Sequence, residues 1–358
     1  MLFRSCSSET TSAWHDNGVK AGPHRILMVL PNDGTGGMQS QARLLARSLQ
    51  EQGHRVVLAV GGGATLDAVV PQMPLPRFRT ATVVWFYLRL LVLAIQTRAS
   101  VVHAHGLRLG PVVAFLPVRR RIVTCHGVDP AHIPTALMWL LAHCPVDVVS
   151  CGEMPRRELA RHGVTSSVIN NAVDNAPTSR SRAEFDAHFG TSPHDFVALW
   201  PARFSRQKGH DLLIEAFRDL KGSNIKVICC GDGPLRESIA REIHQKGLGD
   251  NLIIRDFEPH AAVWLAPTDF LVVPSRWEGQ PLVVLEATRA GLPTVSLIPL
   301  EHAVAHVPTV HHLADMLRVW SARGHDYDIA RQITASMPLK NHDVSIITQN
   351  YLDLYDLP

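Results

Sequence analysis

The sequence predicts an α/β protein made of two doubly wound, Rossmann-like halves that face each other across a cleft. Three observations carry this. The chain has 358 residues, too many for one ordinary domain and suited to two. Apolar runs of strand length alternate with segments of helical spacing, as in a parallel sheet covered by helices. One polar, turn-rich stretch, Asn175–Ser192, divides that alternation into two series.

Arg25–Leu30 is a continuous apolar run and reads as a buried central strand. The glycine-rich turn Pro31–Gly37 leads into Met38–Gln52, where Leu44, Leu45, Ser48 and Leu49 recur at helical spacing before Gly53. Arg55–Val60 is the next strand and completes the opening unit of a doubly wound sheet. Val83–Thr97 reads as a helix, and Ser100–His103, Arg121–Cys125 and Asp147–Ser150 read as strands. Pro155–His162 is a helix ended by Gly163, and Ser167–Ile169 leads into Asn170–Asp174. The second series opens at Phe196–Trp200, followed by a basic loop and a helix over His210–Leu220. Lys226–Cys230, Leu252–Ile254, Asp269–Val273 and Thr294–Leu297 are strands, with helices over Pro234–Lys246 and Leu282–Ala290. Asn341–Leu357 carries Val344, Ile347, Tyr351 and Leu354 at helical spacing. The expected domains are 24–175 and 193–338, with a linker over 176–192, a loose tail over 1–23 and a closing helix within 339–358. Ligands of such sheets bind at the carboxyl ends of the strands, which places the site in the cleft.

Composition narrows the function. A hydrophobic content of 46% fills two cores. A net charge of +3, with no basic stripe alternating with aromatics, argues against nucleic acid as a partner. None of the 20 histidines sits in a His-Glu-x-x-His or Cys-x-x-Cys frame, so no metal is expected. The six cysteines, Cys6, Cys125, Cys144, Cys151, Cys229 and Cys230, lack disulfide-scaffold spacing and read as reduced residues of a cytoplasmic protein. Residues 1–23 lack the apolar core of a signal peptide. The most apolar stretch, Val83–Ile95, is interrupted by Arg89 and falls short of the about 20 residues that span a bilayer. Trp85–Leu93, with Arg77, Arg79, Arg89 and the Arg119–Arg121 run, leaves a peripheral contact at the inner face of the cytoplasmic membrane as the alternative.

Four turns carry candidate chemistry. Gly34-Thr35-Gly36-Gly37 follows a strand and opens a helix, where backbone amides and the helix dipole accept a phosphate. It lacks the G-x-G-x-x-G frame, so a plain tight turn is its rival. Arg203 and Lys208 flank a loop at the end of the first strand of the second half, suited to a diphosphate, against the rival of a solvated basic loop. Gly231 and Gly233 form another strand-to-helix turn. Pro274–Ala287 is the most specific stretch. Pro281 suits a first helical turn, leaving the amides of Leu282 and Val283 free for a phosphate. Glu286 follows Leu282 by four residues on the same helix face, and Glu278 lies in the preceding loop.

Together these residues resemble the retaining glycosyltransferases of family 4 (glycosyl transferases group 1), which have the GT-B fold and use nucleotide-sugar donors. The resemblance covers Arg25–Leu297 and rests on Glu278-x7-Glu286 with the Arg203/Lys208 loop, the Gly36-Gly37 loop, Cys125-His126-Gly127 and Val168–Asp174. It implies that Arg203 and Lys208 hold the donor diphosphate, aided by Gly36, Gly37, Leu282 and Val283. It implies that His126 lies under the donor sugar and that Glu278 contacts it, the two carrying catalysis. Glu286 would bind ribose hydroxyls, with Gly279, Gln280 and Gly231 beside the ribose and sugar. The acceptor would be a glycan, a lipid-linked sugar or a small molecule. No cofactor and no metal is implied, and the closing helix would pack back on the first domain. The chain departs from the family at Glu278-Gly-Gln-Pro281, where Glu-Gly-Phe-Gly is usual, and at Asn171-Ala172, where Asn-Gly is usual. Leu297–His302 replaces the usual Gly-Gly segment, which leaves donor choice open. Rival readings are another GT-B enzyme, an epimerase or a phosphorylase, and an inactive nucleotide-sugar-binding subunit. His103-Ala-His105 reads as structural or acceptor-side rather than as a metal pair, and Asp326-Tyr-Asp328 as a solvated loop.

Overall fold

The computed structural model describes residues 22–34, 36–62, 69–174, 178–258 and 261–357. Thr35 of the glycine turn, nearly all of the expected tail and the start of the expected linker lie outside these residues.

The first half alternates strand and helix in the expected order: β1 (Arg25–Leu30), α1 (Gly37–Glu51), β2 (Arg55–Gly61), β3 (Gln72–Leu75), α2 (Val83–Gln96), β4 (Val101–His105), α3 (Gly110–Val113), β5 (Arg120–Cys125), α4 (Thr135–His143), β6 (Asp147–Ser150), α5 (Glu153–Arg161) and β7 (Ser167–Val168). Its seven strands are all parallel, in the order β3-β2-β1-β4-β5-β6-β7. The central strands are buried on both faces, which explains their unbroken apolar runs. Short β3 and helix α4 lack the length or the moment that marks an element in sequence, and neither is anticipated.

The second half holds α6 (Arg182–Phe189), β8 (Phe196–Pro201), α7 (His210–Arg218), β9 (Ile225–Cys230), α8 (Arg236–Gln245), β10 (Leu252–Arg255), β11 (Leu271–Val273), α9 (Leu282–Arg289), β12 (Thr294–Ser296), β13 (Ala305–His306), α10 (Val310–Ser321) and α11 (His325–Ser336). Strands β10-β9-β8 and β11-β12-β13 are joined by a parallel bridge between Ala198 and Phe270. The resulting order is that of a dinucleotide-binding sheet, reversing direction between β8 and β11.

Two stretches differ from expectation. The polar segment read as a linker contains α6, closed by a reciprocal capping box between Ser181 and Glu184. Phe185 and Phe189, one turn apart, then enter the core of the second half. Asp326 and Asp328 lie not in a loop but in the first turn of α11, where acidic side chains favour the helix dipole. Between them, Tyr327 is buried and donates its hydroxyl to the Asp269 carbonyl at 2.7 Å.

The closing helix α12 (Val344–Asp356) places Ile347, Tyr351, Leu352 and Tyr355 in the first half's core beside Leu45 and Leu49. The chain thus passes between the halves twice, once between β7 and α6 and again between α11 and α12.

Candidate active site

The carboxyl ends of β4 and β5, on one side, face the turns after β8 and β11, on the other. Three close approaches join them. A side chain on Gly37 would lie 3.6 Å from Leu282 at the start of α9. Gly279 packs so closely on His126 that any Cβ would collide with the His126 carbonyl and come within 2.9 Å of Cys151 Sγ. Only glycine permits that approach. Gln280 spans the halves by its amide: its Oε1 accepts from Asn171 N at 2.6 Å, its Nε2 donates to Asn170 Oδ1 at 3.2 Å, and its carbonyl accepts from Asn171 Nδ2 at 2.8 Å. The Gln280 side chain, expected beside the donor sugar, is therefore committed to the interdomain connection. Within the first half, Gln41 of α1 braces the same segment, pairing with both backbone groups of Ala172 at 2.6 and 2.8 Å.

The second half supplies a charged pair. After β8, residues Arg206–Lys208 form a single tight turn that ends at Gly209, whose positive φ of 64° and contact with the Pro274 carbonyl exclude other residues. Gln207 ties this turn to the loop after β11, its Nε2 donating to the Trp277 carbonyl at 3.1 Å and its own carbonyl accepting from Arg276 N at 2.8 Å. Lys208 Nζ then lies 2.6 Å from Glu278 Oε1, which also accepts from Ser275 Oγ at 2.6 Å. The Glu278 side chain is only 5% exposed and Lys208 21%. An ammonium carries three donors, so one bond to Glu278 leaves two for an anion. Arg203 is exposed, and Gly231 packs against the backbone of Ala202 beside it. Ser275 and Gln207, which fix the pair, carry no sequence signal of their own.

Helix α9 begins at Leu282 after Pro281, so the amides of Leu282 and Val283 belong to its first turn and lack intrahelical acceptors. Glu286 sits one turn further in, half-buried, and burial pushes its carboxyl up to about 7. Gly36 is the residue that precedes α1.

His126 follows β5. Its Nε2 is 2.9 Å from His105 Nδ1 at the end of neighbouring β4, and the His105 ring stacks on His103 with centroids 4.4 Å apart. His103 is held by Tyr355 Oη at 2.8 Å and Thr124 Oγ1 at 2.7 Å. The His103-Ala-His105 pair is thus a buried prop behind His126. Burial pushes His126 down to about 4 and His103 to about 3, so both rings are neutral at pH 7.

Residues 35–176 match the profile described as Glycosyltransferase Family 4, and residues 181–297 match that of Glycosyl transferases group 1. The chain is 29% identical over 269 residues to EpsF of Bacillus subtilis strain 168, described as a glycosyltransferase, covering 67% of each chain. It is 23% identical over 223 residues to the O-antigen biosynthesis glycosyltransferase WclY of Escherichia coli, covering 57% of this chain and 62% of that one. The fold matches Anabaena HepE, solved in complex with UDP-glucose, with a TM-score of 0.79 and 16% identity over 92% of this chain and 98% of that one.

Proposed function

Since the chain belongs to the glycosyltransferases of the GT-B fold, we propose that it moves a sugar from a nucleoside-diphosphate donor to an acceptor with retention of anomeric configuration. The observation that carries this reading is the meeting of the Lys208–Glu278 pair with His126, through Gly279, where the halves touch. In the proposed arrangement the diphosphate lies between Arg203, the two remaining Lys208 donors and the amides of Gly37, Leu282 and Val283. Glu286 accepts from the ribose hydroxyls. Glu278 and neutral His126 hold the sugar from either side and stabilise positive charge at the anomeric carbon.

Among the described residues no nucleophile–base pair stands at the meeting point, which favours attack by the acceptor from the face the diphosphate leaves. The acceptor hydroxyl forms the new C–O bond as the C–O bond to phosphate breaks, and its proton passes to the departing phosphate. Phosphate charge is met by Arg203, Lys208 and a helix N-terminus, so turnover is expected to persist in excess chelator. The known HepE complex makes UDP-glucose the first donor to test, and the naming of WclY favours a saccharide acceptor, free or lipid-linked.

The intact Lys208–Glu278 geometry argues against an inactive binding subunit. A thermal-shift screen with UDP, GDP, ADP and their glucose conjugates tests the reading, because stabilisation follows affinity by mass action. One nucleotide series is expected to raise Tm. Lys208→Ala is expected to weaken its Kd roughly ten- to hundredfold, as loss of a charge-assisted bond worth about 1.5–3 kcal/mol implies. No shift with any nucleotide, or an unchanged Kd in Lys208→Ala, contradicts the assignment.

A further inference from the structure

At the second crossing between the halves, two buried histidines meet an exposed carboxylate. Glu301 and His302 lie in the loop after β12, and His342 ends the short turn Lys340–His342 that leads into α12. We propose that Glu301, His302 and His342 form a binding site for a divalent transition-metal ion. Each offers one ligand atom, and the three atoms lie within 4.8 Å of one another. The two Nε2 atoms are 3.1 Å apart. A tetrahedral ion with ligands at about 2.0–2.2 Å sets them roughly 3.3–3.6 Å apart, so the two ring nitrogens need to part by only a few tenths of an ångström. Glu301, being exposed, is free to close on them.

The tautomers favour a ligand. His342 Nδ1 lies 2.9 Å from the Asn171 carbonyl, a group that only accepts, so Nδ1 carries the proton and Nε2 presents its lone pair. A second hydrogen bond of this kind, from ring N–H to a backbone carbonyl, is what orients metal-binding histidines. His302 is 6% exposed, and its Nδ1 has no partner among the described residues. His342 thus offers its Nε2 lone pair whichever tautomer His302 adopts.

Two imidazoles and one carboxylate suit zinc, cobalt or nickel rather than magnesium or calcium. Such an ion would join the loop after β12 to the crossing segment. It would also reach the first crossing, because Asn171 bonds Gln280 and Val173 N donates to the His342 carbonyl at 2.9 Å. The ion would then stiffen both connections between the halves. The two histidines are 40 residues apart in sequence, which is why no local motif announces them.

Cobalt(II) titration of the purified full chain, read by visible ligand-field absorption and by Tm, tests this independently of glycosyl transfer. One equivalent is expected to bind, raise Tm and be displaced by zinc. Glu301→Gln, an exposed change, is expected to keep the metal-free Tm and weaken binding at least tenfold. His302→Gln with His342→Gln is expected to abolish it. No stoichiometric binding by the wild type overturns the proposal. Equal binding by Glu301→Gln also overturns it, since the cobalt then sits on other histidines, and that variant decides even if the histidine variants fail to fold.

Discussion

Burial moves Glu286 and His126 in opposite directions, because it disfavours the charged form of each. His126 stays neutral through the physiological range and contributes no titration there. Glu286, with its carboxyl near 7, changes charge within it, and its ionised form is the better acceptor for ribose hydroxyls. Donor KM is therefore expected to fall several-fold as pH rises from about 6 to 8, and Glu286→Gln is expected to flatten that profile. A pH-independent KM in the wild type, or the same slope in Glu286→Gln, contradicts this role. The stability linkage has the opposite sense. A raised carboxyl pKa stabilises the fold below the ordinary value of 4.5, and that contribution is lost as pH rises through about 7. In sequence, Glu278, Glu286 and Lys208 are legible because their spacing around helix starts is local. The commitment of Gln280 to Asn170 and Asn171, and the His105 prop under His126, join residues 109 and 21 positions apart and leave no local trace.

Helix α2 presents Val84, Trp85, Leu88, Val92 and Ile95 on one exposed face, each at 41–68% exposure. Arg77 and Arg79 stand exposed just before it. No helix among the described residues is long and apolar enough to cross a membrane. An apolar stripe bordered by cations is the arrangement of an interfacial helix. The chain is accordingly expected to float with vesicles containing anionic lipid and to lose that binding on Trp85→Glu with Leu88→Glu, while binding nucleotide as before. Failure of the wild type to float, or flotation unchanged by the double substitution, contradicts a membrane role for α2. Sequence periodicity found α2 because its apolar content is high throughout. It missed α6, although Ser181 and Glu184 spell a capping box, because the surrounding polar residues outweighed Phe185 and Phe189. It also missed α10 and α11, which pack by Leu313, Leu317, Tyr327 and Ala330 between many exposed polar positions.

At the scale of the molecule, two parallel sheets each reverse strand order, one between β1 and β4 and the other between β8 and β11. Those reversals are where such sheets bind ligands, and close to them the turns after β5 and β11 meet at His126 and Gly279. The two series were legible because buried parallel strands are continuous apolar runs. How the halves face each other was not, since it depends on contacts such as Gln280 with Asn171 across 109 residues. The central claim is that this junction transfers a sugar without a covalent intermediate and with its configuration kept. Proton NMR of the first sugar released when the stabilising nucleotide-sugar is turned over tests it most directly, with water or a saccharide as acceptor. The anomeric coupling constant of the earliest product is expected to equal that of the donor's configuration, and a product that first appears with the inverted anomeric centre contradicts the account.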